Sequence, residues 1–577
     1  MDDGLASGEV LDPGNDVREH ISFFVRGDRD GLMTRRLLAF MTDPRASVRR
    51  TTFELLDQLC SGHSDWRLVA DAAESALSDV DPWVRRVAAV LLVRTAGPDR
   101  AVAVLTASTD LVVRTAIVEA MPWHRVMRPE VTLEGLRSDP VPAVRLLAHA
   151  AVLSEDDSWP ALDAAIRAAL QARAGDPDPP GSRLAKSAGE HWAGALVRVD
   201  REKDCCVWAQ RLTDSVEAAE VRREGVRMAV TAMRAWRAAP GRVTPTLTTL
   251  LKEEPSEVRT AALHALAASL TASRLAADDL AAVLDDPDLG AVAAIALGSI
   301  GDHRAVPHLV RLMLSDSSEP RLAGAFRAVA RTGGDPAAPV AAAWRILAAL
   351  PVSCAPELPM RVLAAFGPGA AAAVPELVAR LDGAENDTPD WTFYVLEQIG
   401  PAAAVAVSRL REYPVQGATS ALLHITQDRT VAERYLAECQ EEPRRGRFTS
   451  KLLTWLAEHG GLSVRQHRQV RSLFKVPGFE QVESAGALWL HEGPAAAAQL
   501  LEVLPKYLSD DLRGPQALRV LAMMGPHARP ILDRLDRSIA ARRRTQFGIG
   551  DDDAEMRADE RLLAATIATC GQIAGGV

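Results

Sequence analysis

Residues 367–372, Gly-Pro-Gly-Ala-Ala-Ala, have the glycine spacing of a loop that binds the pyrophosphate of a dinucleotide. Such a loop follows a β-strand and opens a helix, so that the glycines let the backbone approach the phosphates. Here the preceding run, Met360–Phe366, is apolar and Ala-rich and has the character of a helix. We therefore interpret the segment as a turn between helices and predict no cofactor.

Histidine and cysteine are the residue types that could act as metal ligands or nucleophiles. The 13 histidines include one His-Glu pair, His491-Glu492, and no His-Glu-x-x-His motif, which would place two ligands and a base on one face of a helix. His459 and His467 are near each other but lack a set of acidic partners. The six cysteines contain no Cys-x-x-Cys pair. These patterns predict no metal site, no catalytic residues and a reduced, cytoplasmic chain.

The strongest local charge feature is basic. Residues 444–475 carry eight Lys and Arg side chains and one acidic residue, Glu458. Ser463 and Gln466 have the spacing of a capping box, which predicts that a helix starts there. The segment is a candidate site for an acidic partner segment or a phosphate backbone, and the alternative is a solvated outer face. The candidate basic stripe consists of Arg444, Arg445, Arg447, Arg465, Arg468, Arg471 and Lys475.

The elements that would position these residues repeat along the chain. Gly301, Gly334, Gly367 and Gly400 lie 33 residues apart. An apolar, Ala-rich run precedes each glycine and a second amphipathic run follows it, in three cases opening with proline. Because glycine ends helices and proline suits the first turn of the next helix, each period predicts a helix, a turn and a second helix.

A second marker is a Val-Arg pair placed a few residues after an acidic residue. In three cases Asp-Pro precedes the pair, and this combination favours a helix start because the carboxylate caps free backbone N–H groups and proline fixes the first turn. The arginines of these pairs are Arg49, Arg85, Arg114, Arg145 and Arg259.

The D-P-x-V-R and L-G-x-x-G-D/P…V-P-x-L patterns resemble HEAT repeats, specifically the short bacterial kind related to phycobilin-lyase repeats. The resemblance is clear over 34–153 and 243–410 and weaker elsewhere. It implies that the five arginines pair with aspartates as a structural ladder between neighbouring repeats. Gly290 stands where the next arginine is expected, so we expect the ladder to break there.

One family of HEAT-like proteins, the bacterial alkylpurine glycosylases, supplies the alternative function. These enzymes line a basic groove with tryptophans and an aspartate, including a Trp and an Asp four residues apart. This chain has one such pair, Trp159 and Asp163, among its 11 tryptophans, a number at which about one chance match is expected. The glycosylases are shorter and basic, whereas this chain has 577 residues and a net charge of -10.

Composition favours a folded, helical chain without a membrane span. Hydrophobic residues make up 48% and charged residues 25%, with Ala, Leu and Val dominant, which is typical of soluble helical proteins. The Ala/Arg/Gly/Pro bias is typical of GC-rich bacterial genomes. No run of about 18 uninterrupted apolar residues occurs, and the acidic N-terminus does not resemble a signal peptide.

The sequence thus predicts an all-α protein, an α-solenoid forming a right-handed superhelix of HEAT-type helical pairs. Its expected function is that of a non-enzymatic scaffold that binds a protein partner along its concave surface, with a nucleic-acid-binding or base-excision protein as the alternative. The expected divisions are a disordered tail (1–16), N-terminal repeats (17–173), a Pro/Gly-rich loop (174–190), central repeats (191–412) and degenerate C-terminal repeats (413–577). The last division contains the basic segment 444–475 and an exposed loop at 542–557.

Overall fold

A computed structural model describes most of the chain, and the described residues fall into two compact units, 1–231 and 232–577. The described residues are 32–59, 66–121, 135–139, 141–151, 187–253, 256–315, 319–351, 356–382, 390–438 and 446–575, with single positions at 153, 160, 163, 164 and 167. The predicted tail at 1–16 and most of the predicted 174–190 loop lie outside them.

The described part of the first unit consists of helices. Its described helices are α1 (Leu32–Leu38), α2 (Ala46–Leu59), α3 (Trp66–Ser75), α4 (Pro82–Thr95), α5 (Pro98–Ala107), α6 (Leu111–Ala120), α7 (Pro142–Ala151), α8 (Ala188–Arg198), α9 (Glu202–Leu212) and α10 (Ala219–Ala235), whose last turn enters the second unit.

The second unit continues the same pattern. Its described helices are α11 (Ala239–Leu250), α12 (Ser256–Ala268), α13 (Leu270–Leu275), α14 (Ala277–Ala282), α15 (Gly290–Ser299), α16 (Val306–Leu314), α17 (Leu322–Arg331), α18 (Ala337–Ala348), α19 (Glu357–Phe366), α20 (Val374–Asp382), α21 (Asp390–Ile399), α22 (Val407–Leu410), α23 (Gln416–Thr426), α24 (Arg429–Glu438), α25 (Gly446–Glu458), α26 (Val464–Leu473), α27 (Phe479–Glu492), α28 (Ala497–Val503), α29 (Gly514–Met524), α30 (Leu532–Ala540) and α31 (Asp552–Gly575). No β-strand occurs among the described residues, and the predicted all-α solenoid is confirmed.

The turn chemistry follows the sequence signals. Asp81 caps α4 by accepting hydrogen bonds from the backbone N–H groups of Trp83 and Val84 at 2.8 and 3.1 Å, with Pro82 in the first turn. Gly367 and Gly400 adopt φ of +51° and +68° after α19 and α21, and each opens a short 3-10 segment. Because a helix and not a strand precedes Gly367, the segment is a repeat turn.

The helices of the second unit stack in two layers. In one layer α12, α15, α17, α19, α21 and α23 contact one another in order, and in the other α16, α18, α20 and α22 do so. The last helix, α31, packs against α29 and α30 and also against α12 and α13. The array of this unit therefore returns to its own first helices.

The apolar segment 357–381 is long and apolar enough, by length and composition, to cross a membrane. It is not one straight helix, because α19 ends at the positive-φ Gly367 before α20 begins. Leu363, Ala370 and Leu377 within it are fully buried. These three residues therefore form part of the interior of a repeat.

Two predicted loop boundaries were wrong. Helix α8 begins at Ala188, inside the predicted 174–190 loop, because Ser187 and Glu190 form a capping box with N–H···O distances of 3.2 and 2.7 Å. Within the predicted exposed loop at 542–557, Arg544 is buried and α31 already begins at Asp552. Ionic contacts with the start of the second unit account for that burial.

Candidate functional site

Four of the five Val-Arg arginines bind the aspartate of the following repeat. Arg49 makes a bidentate pair with Asp79, with both N···O distances 2.7 Å. Arg85 pairs with Asp110 at 3.0 Å and Arg114 pairs with Asp139. Arg259 pairs with Asp286 at 2.8 Å. Arg145 donates to the backbone carbonyl of Asp139 at 2.5 Å.

The aspartate that receives Arg49 is Asp79 and not the capping Asp81. Burial alone would raise the pKa of Asp79, but the hydrogen bonds from Arg49 and from the Asp81 backbone N–H lower it below its usual value. One carboxylate thus caps the turn of its own repeat and binds the preceding repeat. These arginines are used within the array and are not available to a ligand.

A second set of arginine hydrogen bonds joins neighbouring repeats at helix ends. Basic side chains donate to backbone carbonyls just beyond the end of a helix in an adjacent repeat, where the helix dipole favours positive charge. Arg380 is fully buried and donates to Pro351 O at 3.0 Å. Arg534 donates to Pro505 O at 2.6 Å. No fixed sequence motif marks these arginines, so the sequence did not predict them.

The members of the predicted basic stripe differ in their contacts and exposure. Arg444 and Arg445 lie outside the described residues. The guanidinium of Arg447 lies 4.1 Å from the ring centroid of Phe479. Arg471 pairs with Glu492 at 2.5 Å, although Arg471 itself is exposed.

The remaining members are exposed on or just after α26. They are Arg465, Arg468 and Lys475. No described acidic side chain pairs with any of them, so their positive charges face solvent. The predicted capping box at Ser463 and Gln466 is present and starts this helix.

His467 shares Glu492 with Arg471. Its Nε2 lies 2.5 Å from Glu492 Oε1, and its ring lies 4.5 Å from that of His491. The sequence did not predict this acidic partner of His467, since Glu492 is 25 residues away. Because Arg471 already neutralises the carboxylate, this cluster favours an ion pair over a metal. Among the described residues no group of three His, Cys, Asp or Glu side chains could hold a metal ion.

One part of the repeat array matches a known family. Residues 244–330, which include the Arg259–Asp286 pair, match the model of the family described as HEAT repeats. This part of the chain is therefore built of HEAT repeats.

Three solved structures illustrate its fold neighbours. Yeast importin-beta (Kap95p) is 12% identical with a TM-score of 0.41, covering 99% of this chain and 88% of that one. The Kap95:Nup1 complex gives 11%, 0.39 and the same coverage. Importin beta in an ammonium sulfate condition gives 11% and 0.37, covering 100% and 83%. The comparison with curated proteins gave no match.

The repeat array gives little support to Trp159 and Asp163 as a glycosylase-like pair. Trp159 lies outside the described residues. Asp163 is 3.2 Å from Arg167, which also pairs with Glu217 at 2.8 Å. An aspartate held by an arginine of its own helix is typical of a surface ion pair.

Proposed function

We propose that this HEAT-repeat protein is a non-enzymatic cytoplasmic scaffold that binds a protein partner through an acidic segment. The observation that carries the proposal is the pair of exposed guanidinium groups, Arg465 and Arg468, which have no acidic partner among the described residues. Exposed, fixed positive charge steers acidic partners and sets their orientation. Cys205, Cys206 and Cys570 form no disulfide, which supports a reducing compartment.

An aromatic surface in the central repeats adds the residue types that dominate protein interfaces. Arg361 lies over the ring of Trp391, 5.1 Å from its centroid, and Trp391 packs edge-on against Tyr394 at 5.9 Å. Tyr394 is 38% exposed. Trp, Tyr and Arg are enriched among the residues that contribute most to binding. This surface supports the proposal of a protein partner over a small ligand.

Reversing Arg465 and Arg468 to Glu is expected to reduce partner retention about tenfold at low salt, because the steering field is lost. The measurement is affinity capture by the purified full chain from nuclease-treated native lysate, with quantitative mass spectrometry. Arg471 is left intact, since a glutamate there would repel Glu492 and disturb the fold.

The matched control reverses Arg67 and Arg274, which are exposed and have no described acidic partner. A partner lost with the first pair and retained by the control supports the stripe. Equal retention by both variants and the wild type would show that the stripe is a solvated face.

The alternative function is tested on DNA. We expect the purified chain to release no base from methylated duplex DNA and to bind random duplex weakly, since nonspecific affinity comes from Lys and Arg that neutralise phosphates and many arginines here pair within the array. The assay runs beside a Trp159→Ala, Asp163→Asn variant. Base release that disappears in this variant would replace the scaffold proposal with an enzyme.

A further inference from the structure

A cavity of about 330 Å³ lies beside Gly290, at the position where the arginine ladder has glycine. One wall is formed by the turn before α15 and by the first residues of that helix. The other wall is formed by the end of α16 and the residue after it. The lining includes Leu284, Asp285, Gly290, Ala291, Arg311 and Ser315.

Gly290 is the structural equivalent of the ladder residue Arg114. The backbone N–H of Gly290 donates to Asp286 O at 2.8 Å, and that of Arg114 donates to Asp110 O at 3.0 Å. In both repeats the aspartate four residues earlier also pairs with the arginine of the preceding repeat. The register of the repeat therefore continues through position 290, although no side chain extends from it.

A ladder arginine runs from the start of one helix toward the residue that follows the second helix of its pair. Arg85, near the start of α4, donates to Asp79 O at 2.8 Å and to Val80 O at 3.3 Å. These acceptors lie six and five residues before it. The same guanidinium pairs at 3.0 Å with Asp110, which follows α5.

The cavity follows the same course in the repeat of Gly290. The residues six and five positions before Gly290 are Leu284 and Asp285, and Ser315 directly follows α16. All three line the cavity. The cavity therefore occupies the space through which a ladder arginine would pass.

Hydrogen-bond acceptors at this cavity are unused within the described structure. Neither Leu284 O nor Asp285 O accepts a hydrogen bond from a described donor. The Asp285 carboxylate lies 3.7 Å from Arg311 Nη2 and 3.9 Å from His308 Nε2, which is beyond hydrogen-bonding distance. Arg311 instead donates to His308 Nδ1 at 2.5 Å. Asp285 thus lacks the short arginine contact that the ladder aspartates have.

We propose that this cavity binds an arginine side chain of a protein partner. Position 290 cannot supply that side chain, because a Cβ there would lie 2.3 Å from Leu284 O. A guanidinium presents paired N–H donors that match a carboxylate and backbone carbonyls, and its methylene groups can pack on apolar walls such as Leu284. The site is separate from the stripe on α26 and selects a basic group of the partner.

The first probe is N-acetyl-L-argininamide, whose charge is confined to the guanidinium. Titrated into the full chain with isotope-labelled leucine methyl groups, it should shift the Leu284 resonances saturably. The neutral isostere N-acetyl-L-citrullinamide should bind about tenfold more weakly, because it forms no charge-assisted hydrogen bond with Asp285. Equal binding of the two compounds, or no saturable shift, would overturn the proposal.

Two substitutions test the sign of the charge that the cavity accepts. Asp285→Asn should weaken binding of N-acetyl-L-argininamide about fivefold, the upper range for an exposed ion pair. Arg311→Gln should strengthen binding, because it removes a cation that competes for Asp285. Weaker binding by Arg311→Gln would show that the cavity takes an anion and would contradict the proposal. Asp288→Asn, exposed and outside the lining, is the matched control and should bind like the wild type.

Two tryptophan substitutions locate the site. Ala291→Trp fills the cavity from an exposed position and should abolish binding, whereas Ala341→Trp, exposed on α18, should leave it unchanged. Circular dichroism checks that both variants fold. Unchanged binding by Ala291→Trp would place the probe elsewhere and reject the site.

The source of the guanidinium is tested by comparing ligands. An end-blocked Gly-Gly-Arg-Gly-Gly peptide that binds at least as tightly as N-acetyl-L-argininamide supports the side chain of a partner. Free L-arginine binding about tenfold more tightly than both would identify a free amino acid as the ligand and would overturn partner docking. The Arg465 and Arg468 reversals should leave all these affinities unchanged, which separates this site from the proposed function of the stripe.

Discussion

Replacing Asp559 by Ala is expected to lower the free energy of unfolding of the second unit by about 3–5 kcal/mol. Asp559 is fully buried. It accepts hydrogen bonds from Arg237 Nη2 at 2.6 Å, Arg544 Nη1 at 3.2 Å and the backbone N–H of Thr545 at 3.0 Å. Removing the carboxylate leaves two largely buried guanidinium groups short of their main acceptor, although Glu560 still contacts Arg544.

Asp559→Ala should destabilise the region around α31 before it unfolds the whole second unit. The same residues attach the last helix of the second unit to the start of that unit, since the backbone N–H of Arg237 donates to Arg542 O at 2.9 Å and that of Arg544 to Ala235 O at 3.1 Å. Hydrogen exchange of the full chain is therefore the measurement, because a two-unit repeat protein need not unfold in one step. We expect amides of α31, α12 and α13 to lose protection while those of α2 and α4 do not.

Asp552→Ala is the matched control on the same helix. Asp552 is 74% exposed at its side chain and pairs with Arg234 at 3.2 Å, and exposed pairs contribute about 0–1 kcal/mol. Equal effects of the two substitutions would show that α31 is not held by its buried ionic contacts.

The pH dependence provides an independent check. Burial alone would raise the pKa of Asp559, but the hydrogen bonds from Arg237 and Thr545 and the nearby positive charges lower it below its usual value. A lowered folded pKa stabilises the protein above the unfolded value of about 3.9, and this stabilisation is lost as the pH falls through the folded pKa. The stability difference between the wild type and Asp559→Asn should therefore shrink on acidification from about pH 4 downward.

Periodicity predicted the repeats because each helical pair carries its own caps and apolar face. Gly301 and Gly367, placed by that period, do adopt positive φ. At the intermediate position the positive φ falls on Gly333 and not on Gly334. Adjacent glycines can both end a helix, so spacing alone could not choose between them.

The contacts between residues 542–557 and the start of the second unit could not be predicted from periodicity and capping residues. Three consecutive arginines followed by glycines are typical of a solvated loop. Arg544 is buried because Asp559 and Glu560 lie on the next helix and because Met233 O, 311 residues away, accepts from its Nε at 2.6 Å. Local composition does not encode contacts at that separation. The same reason explains why the pairing of Arg471 with Glu492 was missed.

Gly290→Ala is expected to destabilise the second unit by about 1–3 kcal/mol, the usual effect of overpacking. A Cβ at Gly290 would lie 2.3 Å from the backbone O of Leu284 and 3.1 Å from its carbonyl carbon. Backbone atoms cannot rotate away as a side chain can, so α15 would have to move. Thermal unfolding monitored at 222 nm, with hydrogen exchange of α14 and α15, is the measurement.

Gly324→Ala is the matched control, because Gly324 is also helical and a Cβ there meets nothing within 4 Å. Without a clash, alanine should be neutral or stabilise α17 by up to about 1 kcal/mol. If the two alanine variants were equally stable, α15 would not be held closely against Leu284.

The same contact explains why the arginine ladder has glycine at this position. Asp286 still receives Arg259 at 2.8 Å, and Gly290 follows it by four residues, the spacing that separates Asp110 from Arg114. An arginine at 290 carries the same Cβ as alanine, so Gly290→Arg should be at least as destabilising as Gly290→Ala and should not extend the ladder. Greater stability of Gly290→Arg than of Gly290→Ala would instead mean that the ladder position is open and that the close approach of α15 is not what requires glycine.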